Sequence, residues 1–311
     1  MRIGINASGL LLTPDLGAML EHAQQAEADG FSSWWLAQTG LVDALAVFTA
    51  AGAATDTIEM GTAVVPTYMR HPSTVAGQAL TAQAALTAGG KPARLVLGIG
   101  LSHQPVVEDR LKMHWQKPIG HMRDYLTIVN ELVTAGRSAH DGGFFSMHLD
   151  SARPSEAAPS VMLAALGPQM LKMAGTHADG TILWMVGPRT IAEHIAPSLS
   201  AAADDAGRPA PRVVCSLPIA VTDDESATRD FHAMAFAGYG DLPSYRAMLD
   251  REGAEGPGDV CIVGNEAVVN ECLDELAAAG TTDFSAVELG ITPEDNQRTR
   301  ALLKARANGA A

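Results

Sequence analysis

The stretch that decides the fold reads GTAVVPTYMRHP at residues 61–72 and, after an apolar segment, ARLVLGIGLSH at residues 93–103. The mainly apolar residues Ile58–Val65 and Leu95–Gly98 predict two buried strands, and the pattern over Pro72–Thr87 predicts a helix between them. Parallel strands joined by one helix bring their carboxyl ends to the same edge of a sheet. In α/β folds that edge is where ligands bind.

Strands and helices alternate along the rest of the chain. The periodicity predicts eight strand–helix units, which favour a single (β/α)8 TIM-barrel domain over residues 1–311 rather than an open sheet. The predicted strands are Arg2–Asn6, Ser32–Ala37, Ile58–Val65, Leu95–Gly98, Ser160–Ala165, Thr181–Met185, Arg212–Val221 and Asp283–Leu289.

Two segments break this rhythm. Residues 101–120 are irregular, and residues 136–159 are rich in Gly, Ser, His and Asp. We expect both to be insertion loops at the C-terminal face of the barrel, the second with a short hairpin. Residues 226–253 are predicted to be helical.

The composition excludes several functions. A net charge of −14 argues against nucleic-acid binding, which needs a basic face. It leaves room for an anionic cofactor, because backbone N–H groups at a helix N-terminus hold phosphate without Lys or Arg. The three cysteines are scattered, so neither a disulfide framework nor a zinc site is indicated. Without a signal-peptide pattern or a stretch long enough to cross a bilayer, we expect a soluble, cytoplasmic protein with no membrane partner.

The quoted stretch also carries a resemblance. Residues 61–72 and 94–103 resemble the bacterial-luciferase-like family of TIM-barrel oxidoreductases, and within it the members that use the deazaflavin coenzyme F-420. A second run, GPQMLKMAG at residues 167–175, is similar to that family's phosphate-binding turn. The motifs follow in the expected order, and the resemblance extends over nearly the whole chain. It implies the barrel fold, coenzyme F-420 or FMN as cofactor, and a homodimer.

The resemblance implies which residues meet the ring of the cofactor. It places a cis peptide bond at Ala63–Val64, backing the central ring, whereas the residues alone indicate an ordinary β-strand. Gly98, Ile99 and Gly100 would flank the ring, since glycine permits close approach to the backbone. A tight turn is the alternative explanation for these glycines, and their spacing is not a dinucleotide-binding fingerprint.

The phosphate is assigned to Gly167, Pro168, Gln169 and Met170. These residues lie between a buried strand and a helix, where unpaired N–H groups and the helix dipole favour an anion. Proline in the first turn is also a common helix start without any ligand.

The titratable side chains nearest these loops are His71, His103 and Glu108. Histidine suits proton transfer at neutral pH, and His103 is the preferred proton donor, with Glu108 also facing the substrate. His71 precedes Pro72 and is expected to cap the helix.

Gln38 follows the second strand. Sugar-phosphate and alcohol dehydrogenases of the resembled group carry an acidic residue and a histidine there, whereas this chain has Gln38 and Thr39. This difference argues against those substrates, and Gln38 is predicted to orient the deazaflavin or a carbonyl substrate.

The leading hypothesis is an F-420-dependent oxidoreductase that transfers hydride between C5 of the deazaflavin and a small organic substrate with an activated C=C or C=O bond. The alternatives are an FMN-dependent luciferase-like monooxygenase and a non-catalytic flavin-binding barrel. We expect no catalytic metal, because acidic and His residues such as His177 and Asp179 form no compact ligand set.

Overall fold

A closed barrel of parallel strands forms the centre of the computed structural model, which describes residues 1–309. The strands in that range are β1 (Arg2–Asn6), β2 (Ser33–Leu36), β3 (Glu59–Thr62), β4 (Val65–Pro66), β5 (Leu95–Gly100), β6 (Arg137–Asp141), β7 (Ser146–Asp150), β8 (Ser160–Leu163), β9 (Gly180–Trp184), β10 (Arg212–Val221), β11 (Ile262–Gly264) and β12 (Asp283–Glu288). The ring runs β1, β2, β3, β5, β8, β9, β10, β12 and closes by pairing of β12 with β1. The predicted TIM barrel is confirmed.

Helices cover the outside of the barrel. They are α1 (Leu16–Ala28), α2 (Ala44–Ala51), α3 (Pro72–Thr87), α4 (Pro118–Ala135), α5 (Pro168–His177), α6 (Pro188–Thr190), α7 (Ala196–Asp205), α8 (Glu225–Phe236), α9 (Pro243–Glu252), α10 (Glu266–Ala278) and α11 (Pro293–Ala307). A π-helical turn, Ile191–Ile195, joins α6 to α7.

Side chains of each strand alternate between the helices and the interior of the barrel. Those on the outer face, such as Ile5, Leu97 and Phe284, belong to the large core under the helices. The interior has a core of its own, made of Trp35, Val96, Met162, Ile182 and Val214. Strand ends above this interior core form the mouth of the barrel, at its C-terminal face.

A network of charges closes the opposite end of the barrel. Arg212 Nη2 lies 2.7 Å from Glu59 Oε1 and 2.9 Å from Asp283 Oδ1, and Arg2 Nε donates to the same Asp283 oxygen at 2.6 Å. Asp283 is buried. Because these four residues come from β1, β3, β10 and β12, the network joins strands that are distant in sequence.

The segment 136–159 contains the predicted hairpin. Strands β6 and β7 pair antiparallel, from Arg137 opposite Asp150 to Asp141 opposite Ser146. The carboxylate of Asp124, on α4, accepts hydrogen bonds from the N–H groups of Phe144 and Phe145 at 2.7 and 3.3 Å. The hairpin is therefore attached to the barrel through its turn.

Several sequence-based boundaries were wrong. The strand predicted over Ile58–Val65 is interrupted at Ala63–Val64, and the helical segment 226–253 is two helices separated at 237–242. Strand β11 was not predicted, and it pairs with the upper part of β10. Among residues 1–309, no helix is both long and apolar enough to span a membrane.

Candidate active site

At the mouth, the hydroxyl group of a threonine bridges a gap between β3 and β5. Strand β3 ends at Thr62, the Ala63–Val64 peptide bond that follows is cis, and pairing with β5 resumes at Val65. The cis bond is at the position that the resemblance implied. Within the gap, Thr62 Oγ1 donates to the carbonyl of Gly98 at 2.8 Å and accepts from its N–H at 2.9 Å.

Small residues make one side of the mouth flat. A Cβ atom on Gly98 would collide with the carbonyl oxygen of Thr62, and one on Gly100 would lie 2.7 Å from Val64 Cγ2 and 3.2 Å from Ala164 Cβ. Ala63, Val64 and Ala164 are half-buried. We call Ala63, Val64, Gly100 and Ala164 the flat wall; a planar ring system fits such a surface because none of its side chains is larger than that of valine.

The three residues predicted on β5 have different environments. Gly100 belongs to the flat wall, whereas Gly98 uses its backbone groups to bind Thr62. The side chain of Ile99 is fully buried in the outer core and points away from the mouth. Only the backbone of Ile99 is therefore available to a ligand.

Helix α5 begins beside the flat wall with an open N-terminus. Its N-cap is Gly167, no side chain caps it, and its first turn contains no acidic residue. The first intrahelical bond joins Leu171 N–H to the Gly167 carbonyl, so Gln169 and Met170 precede it with their N–H groups. Gly167, Pro168 and Gln169 are exposed. This arrangement suits an anion.

Helix α6 also begins with Gly-Pro, but the chain itself caps it. The carboxylate of Glu252 accepts hydrogen bonds from Arg189 N–H at 3.1 Å and from Thr190 N–H at 2.7 Å. A carboxylate therefore already occupies the position that an anionic ligand would take at α6. The start of α5 has no such carboxylate among the residues that the structure describes.

Aromatic side chains continue the rim of the mouth beyond the flat wall, from β9, the strand next to β8. Trp184 ends β9, and its ring centroid lies 5.5 Å from that of Phe236 and 6.0 Å from that of Tyr239. Tyr239 lies in turn 5.0 Å from Tyr245. We call Trp184, Phe236, Tyr239 and Tyr245 the aromatic arc.

His103 packs against the aromatic arc. Its ring centroid is 6.1 Å from Tyr239 and 5.6 Å from Tyr245, both in edge-to-face geometry. Burial lowers the pKa of His103, which favours the neutral imidazole. A neutral imidazole donates one hydrogen bond and accepts another, but it is a weaker acid than the proton donor predicted from the sequence.

The other predicted polar residues are engaged elsewhere. Gln38 is buried, donates from Nε2 to the Val42 carbonyl at 2.6 Å and accepts from Ala44 N–H at 2.9 Å, so it holds the loop before α2. Glu108 is exposed on the π-helical turn Val106–Arg110 and accepts from Gln104 at 2.9 Å. These contacts give no support to a catalytic role for Gln38 or Glu108. His71 is the N-cap of α3, as expected.

Neither the aromatic arc nor the role of Thr62 was predicted from the sequence. Trp184 and Tyr239 are far apart in the sequence, and the pairing of β9 with β10, together with the path of the chain after α8, brings them together. The available signal was the position of Trp184 at the carboxyl end of a predicted strand.

Within residues 1–309, no group of three or more His, Cys, Asp or Glu side chains is arranged to hold a metal ion.

Comparison with known proteins places this barrel in a family. The family model described as luciferase-like monooxygenase matches residues 2–283. The chain belongs to the luciferase-like family. An uncharacterised member from Mycobacterium tuberculosis is 28% identical over 256 residues, covering 76% of this chain and 73% of the relative. An F-420-dependent glucose-6-phosphate dehydrogenase from Microbacterium testaceum is 29% identical over 225 residues, covering 67% of this chain and 64% of the relative.

Solved structures share the fold of this luciferase-like chain. The coenzyme F-420-dependent tetrahydromethanopterin reductase of Methanopyrus kandleri has a TM-score of 0.80 at 19% identity over 97% of each chain. The oxygenating constituent of 3,6-diketocamphane monooxygenase of Pseudomonas putida, in complex with FMN, has a TM-score of 0.74 at 16% identity, covering 100% of this chain and 98% of that one. At these identities the likeness concerns the barrel alone.

Proposed function

We propose that this protein is an oxidoreductase that binds coenzyme F-420 in the mouth of the barrel and transfers hydride between C5 of the deazaflavin and a small organic substrate. The observation that carries the proposal is the flat wall standing next to the open N-terminus of α5. One surface fits a planar tricyclic ring and the other fits a phosphate. Both groups belong to the same coenzyme.

The spacing between the two surfaces supports a single ligand. Ala164, in the flat wall, and Gly167, the N-cap of α5, are three residues apart in the sequence. Their Cα atoms are therefore at most about 11 Å apart. The ribityl chain between the ring and the phosphate spans a distance of this order.

Each group of residues has its own part in holding the coenzyme. Ala63 and Val64 would back the ring, and Gly100 would leave it room. The N–H groups of Gln169 and Met170 would donate to the phosphate, assisted by the dipole of α5. When bound, the coenzyme supplies the redox chemistry, as a carrier of hydride. His103 would donate a hydrogen bond to a substrate oxygen or accept the proton of a substrate hydroxyl.

Relatives of the chain support the choice of F-420. The dehydrogenase from Microbacterium testaceum is F-420 dependent by name, and it matches this chain in sequence. Its glucose-6-phosphate substrate is a poor guide here, because Gln38 and Thr39 replace the acidic residue and histidine characteristic of sugar-phosphate and alcohol dehydrogenases.

A second candidate is an FMN-dependent monooxygenase. FMN also joins a tricyclic ring to a ribityl phosphate and would use the same flat wall and the same helix start. The FMN complex of the similar Pseudomonas putida barrel favours this candidate. The two cofactors differ in chemistry, since reduced FMN reacts with oxygen in a monooxygenase, whereas F-420 exchanges hydride with an organic substrate.

A binding titration tests the proposal. Purified apoprotein is titrated with oxidised F-420 and with oxidised FMN, followed by the fluorescence of each ligand. We expect F-420 to bind at least tenfold more tightly, a difference of about 1.4 kcal/mol. A preference for FMN would move the assignment to the monooxygenase, and binding of neither would refute both. Turnover of a substrate by the protein with bound cofactor would identify an enzyme, whereas a non-catalytic flavin-binding barrel would bind the cofactor without turnover.

The titration includes a variant of the flat wall. Gly100→Val places a branched side chain where Val64 and Ala164 already lie close, so it should weaken binding of both cofactors at least tenfold. Gly77→Val is the matched control, because a Cβ atom at that exposed position on α3 meets no atom within 4 Å.

Homodimer formation and a cytoplasmic location stay predictions, the first from the resemblance and the second from the sequence.

A further inference from the structure

The aromatic arc contains a buried hydrogen-bond donor that is poorly satisfied. The indole Nε1 of Trp184 is inaccessible to solvent and makes no hydrogen bond of regular geometry with the described residues, although the hydroxyl group of Tyr239 is close enough to interact with it. A buried N–H without an acceptor is costly, and native proteins rarely leave one. In a binding site, an acceptor on the ligand removes this cost.

The backbone fixes where this indole lies. Trp184 pairs in register with Ser216, and by alternation it lies on the same face of β9 as Ile182 of the interior core, but at the mouth its ring packs against side chains of the outer core. The next residue, Met185, has φ of 54°, in a region that residues other than glycine rarely adopt. Strand β9 therefore ends in an uncommon backbone conformation at Met185, directly after Trp184.

Around this donor the surface is aromatic and uncharged. Phe236, Tyr239 and Tyr245 surround Trp184 and His103, and burial keeps His103 neutral. The cation next to the arc in sequence, Arg246, donates to Asp250 at 2.7 Å and to the carbonyls of Ala254 and Glu255.

We propose that the aromatic arc and His103 form the substrate wall of the site, and that this wall takes an uncharged, planar, conjugated carbonyl compound whose oxygen accepts hydrogen bonds from Trp184 Nε1 and His103. The inference rests on the proposed function, because it assigns the part of the mouth that adjoins the flat wall, where β9 lies next to β8. Ring faces bind a planar frame by stacking. The N–H groups of Trp184 and His103 would both donate to the same carbonyl oxygen of the substrate.

The chemistry agrees with this position of the donors. When hydride adds to the conjugated carbon, an electron pair moves onto the carbonyl oxygen, and a proton from water completes the reduction. Donors directed at that oxygen stabilise the charge that develops there. An anionic substrate would gain no cation from the arc.

The test uses two probes that differ in charge. Trans-cinnamamide and trans-cinnamate share the ring and the double bond, but only the second is an anion. Each is titrated into the protein, with and without saturating F-420, by isothermal calorimetry. We expect cinnamamide to bind at least tenfold more tightly than cinnamate. Equal or tighter binding of cinnamate would overturn the inference.

A variant isolates the indole donor. Trp184→Phe keeps a ring in the arc and removes the N–H, so the affinity for cinnamamide should fall about threefold to tenfold, the range for one neutral hydrogen bond. Trp115→Phe makes the same chemical change on a tryptophan that stacks on Tyr68, outside the arc, and should leave the affinity unchanged. Unchanged cinnamamide binding by Trp184→Phe would overturn the inference.

The cofactor titration keeps the two proposals separate. Trp184→Phe should bind F-420 like the wild type, because the flat wall and α5 are intact. If the wild type binds cinnamamide in a Trp184-dependent manner but binds no F-420, the cofactor assignment fails and the substrate wall stands. If it binds F-420 but discriminates neither probe, the substrate wall fails and the cofactor assignment stands.

Discussion

The hydroxyl group of Thr62 satisfies both polar backbone groups of Gly98, donating to its carbonyl at 2.8 Å and accepting from its N–H at 2.9 Å. Both residues are buried. The threonine side chain thus replaces the backbone partner that β5 loses where β3 turns away, and it fixes the edge of the flat wall.

Replacing Thr62 tests this relationship. Thr62→Val has nearly the same shape but leaves two buried backbone groups unpaired, each costing about 1–3 kcal/mol. We expect the free energy of unfolding, measured in urea, to fall by at least about 2 kcal/mol. Thr62→Ser keeps the hydroxyl group, so its free energy of unfolding should fall by less than that of Thr62→Val. Equal stability of the two variants would show that the hydroxyl bridge is unimportant.

A carboxylate at the start of α5 should repel the phosphate of the cofactor. In Gly167→Asp the new side chain meets open space and caps the helix, so the fold is retained. Affinity for F-420 or FMN should fall about tenfold or more, or by about 1.4 kcal/mol. Binding of riboflavin, which has no phosphate, should change little.

The matched control is Gly143→Asp, which adds the same charge in the turn of the hairpin, also in open space. It should leave all affinities unchanged. If Gly167→Asp weakened riboflavin and FMN equally, the phosphate would not be bound at α5.

The charge network at the closed end of the barrel should be important for stability. Asp283→Asn removes the charge that holds Arg2 and Arg212, and breaking a buried ion pair costs about 3–5 kcal/mol. Asp250→Asn, in an exposed pair with Arg246, should cost less than about 1 kcal/mol. Urea unfolding at pH 7 compares the free energies of unfolding of the two variants. Similar losses of stability in both would contradict the importance assigned to the charge network.

Acid should weaken the same network. Burial alone would raise the pKa of Asp283, but the hydrogen bond and charge of Arg212 hold it below its ordinary value. The unfolded state therefore binds the proton first as the pH falls, and the contribution of Asp283, complete above about pH 4, is lost below it. The free energy of unfolding of Asp283→Asn should lack this part of the acid dependence.

His121 should make stability depend on pH in a higher range. Burial between Tyr68 and Tyr125 lowers its pKa to about 4, with Asp124 opposing the shift. Since an unfolded histidine titrates near 6.5, the unfolded state gains protons first as the pH falls from about 6.5 to 4. The resulting loss of stability should reach about 3 kcal/mol.

Urea unfolding at pH 7.0, 5.5 and 4.5 measures this dependence. His121→Gln keeps a polar atom near Thr67 Oγ1, which lies 3.0 Å from His121 Nε2, and should remove the share of the slope between pH 6.5 and 4 that His121 contributes, while His22, whose pKa burial also lowers to about 4, keeps its own share. His148→Gln, on the exposed face of the hairpin, is the control. If both variants kept the full wild-type slope, the histidine responsible would lie elsewhere.

The barrel was predictable because strand and helix signals are local. The bounds predicted for α3 and β10, Pro72–Thr87 and Arg212–Val221, agree with the structure. Helix α11 was missed although its signals are present, since Thr292 and Asp295 form a capping box before Pro293 starts the helix.

Side-chain partners were harder to predict than elements. An amide such as that of Gln38 can bind a ligand or its own loop, and only the path of the chain to Val42 and Ala44 decides between them. The break after Thr62 was implied by the resemblance alone, because Ala-Val is an ordinary strand sequence. Trp184 and Tyr239 meet because β9 pairs with β10 and the chain after α8 returns to the mouth, and no local pattern encodes this tertiary contact.

A crystal structure of the protein with bound F-420 tests the central claim most directly. The proposal predicts the deazaflavin ring against Val64 and Gly100, with its phosphate within hydrogen-bond distance of the N–H groups of Gln169 and Met170. The face of C5 would then be open toward the aromatic arc. A ring bound outside the mouth, or a phosphate held away from the start of α5, would contradict the account.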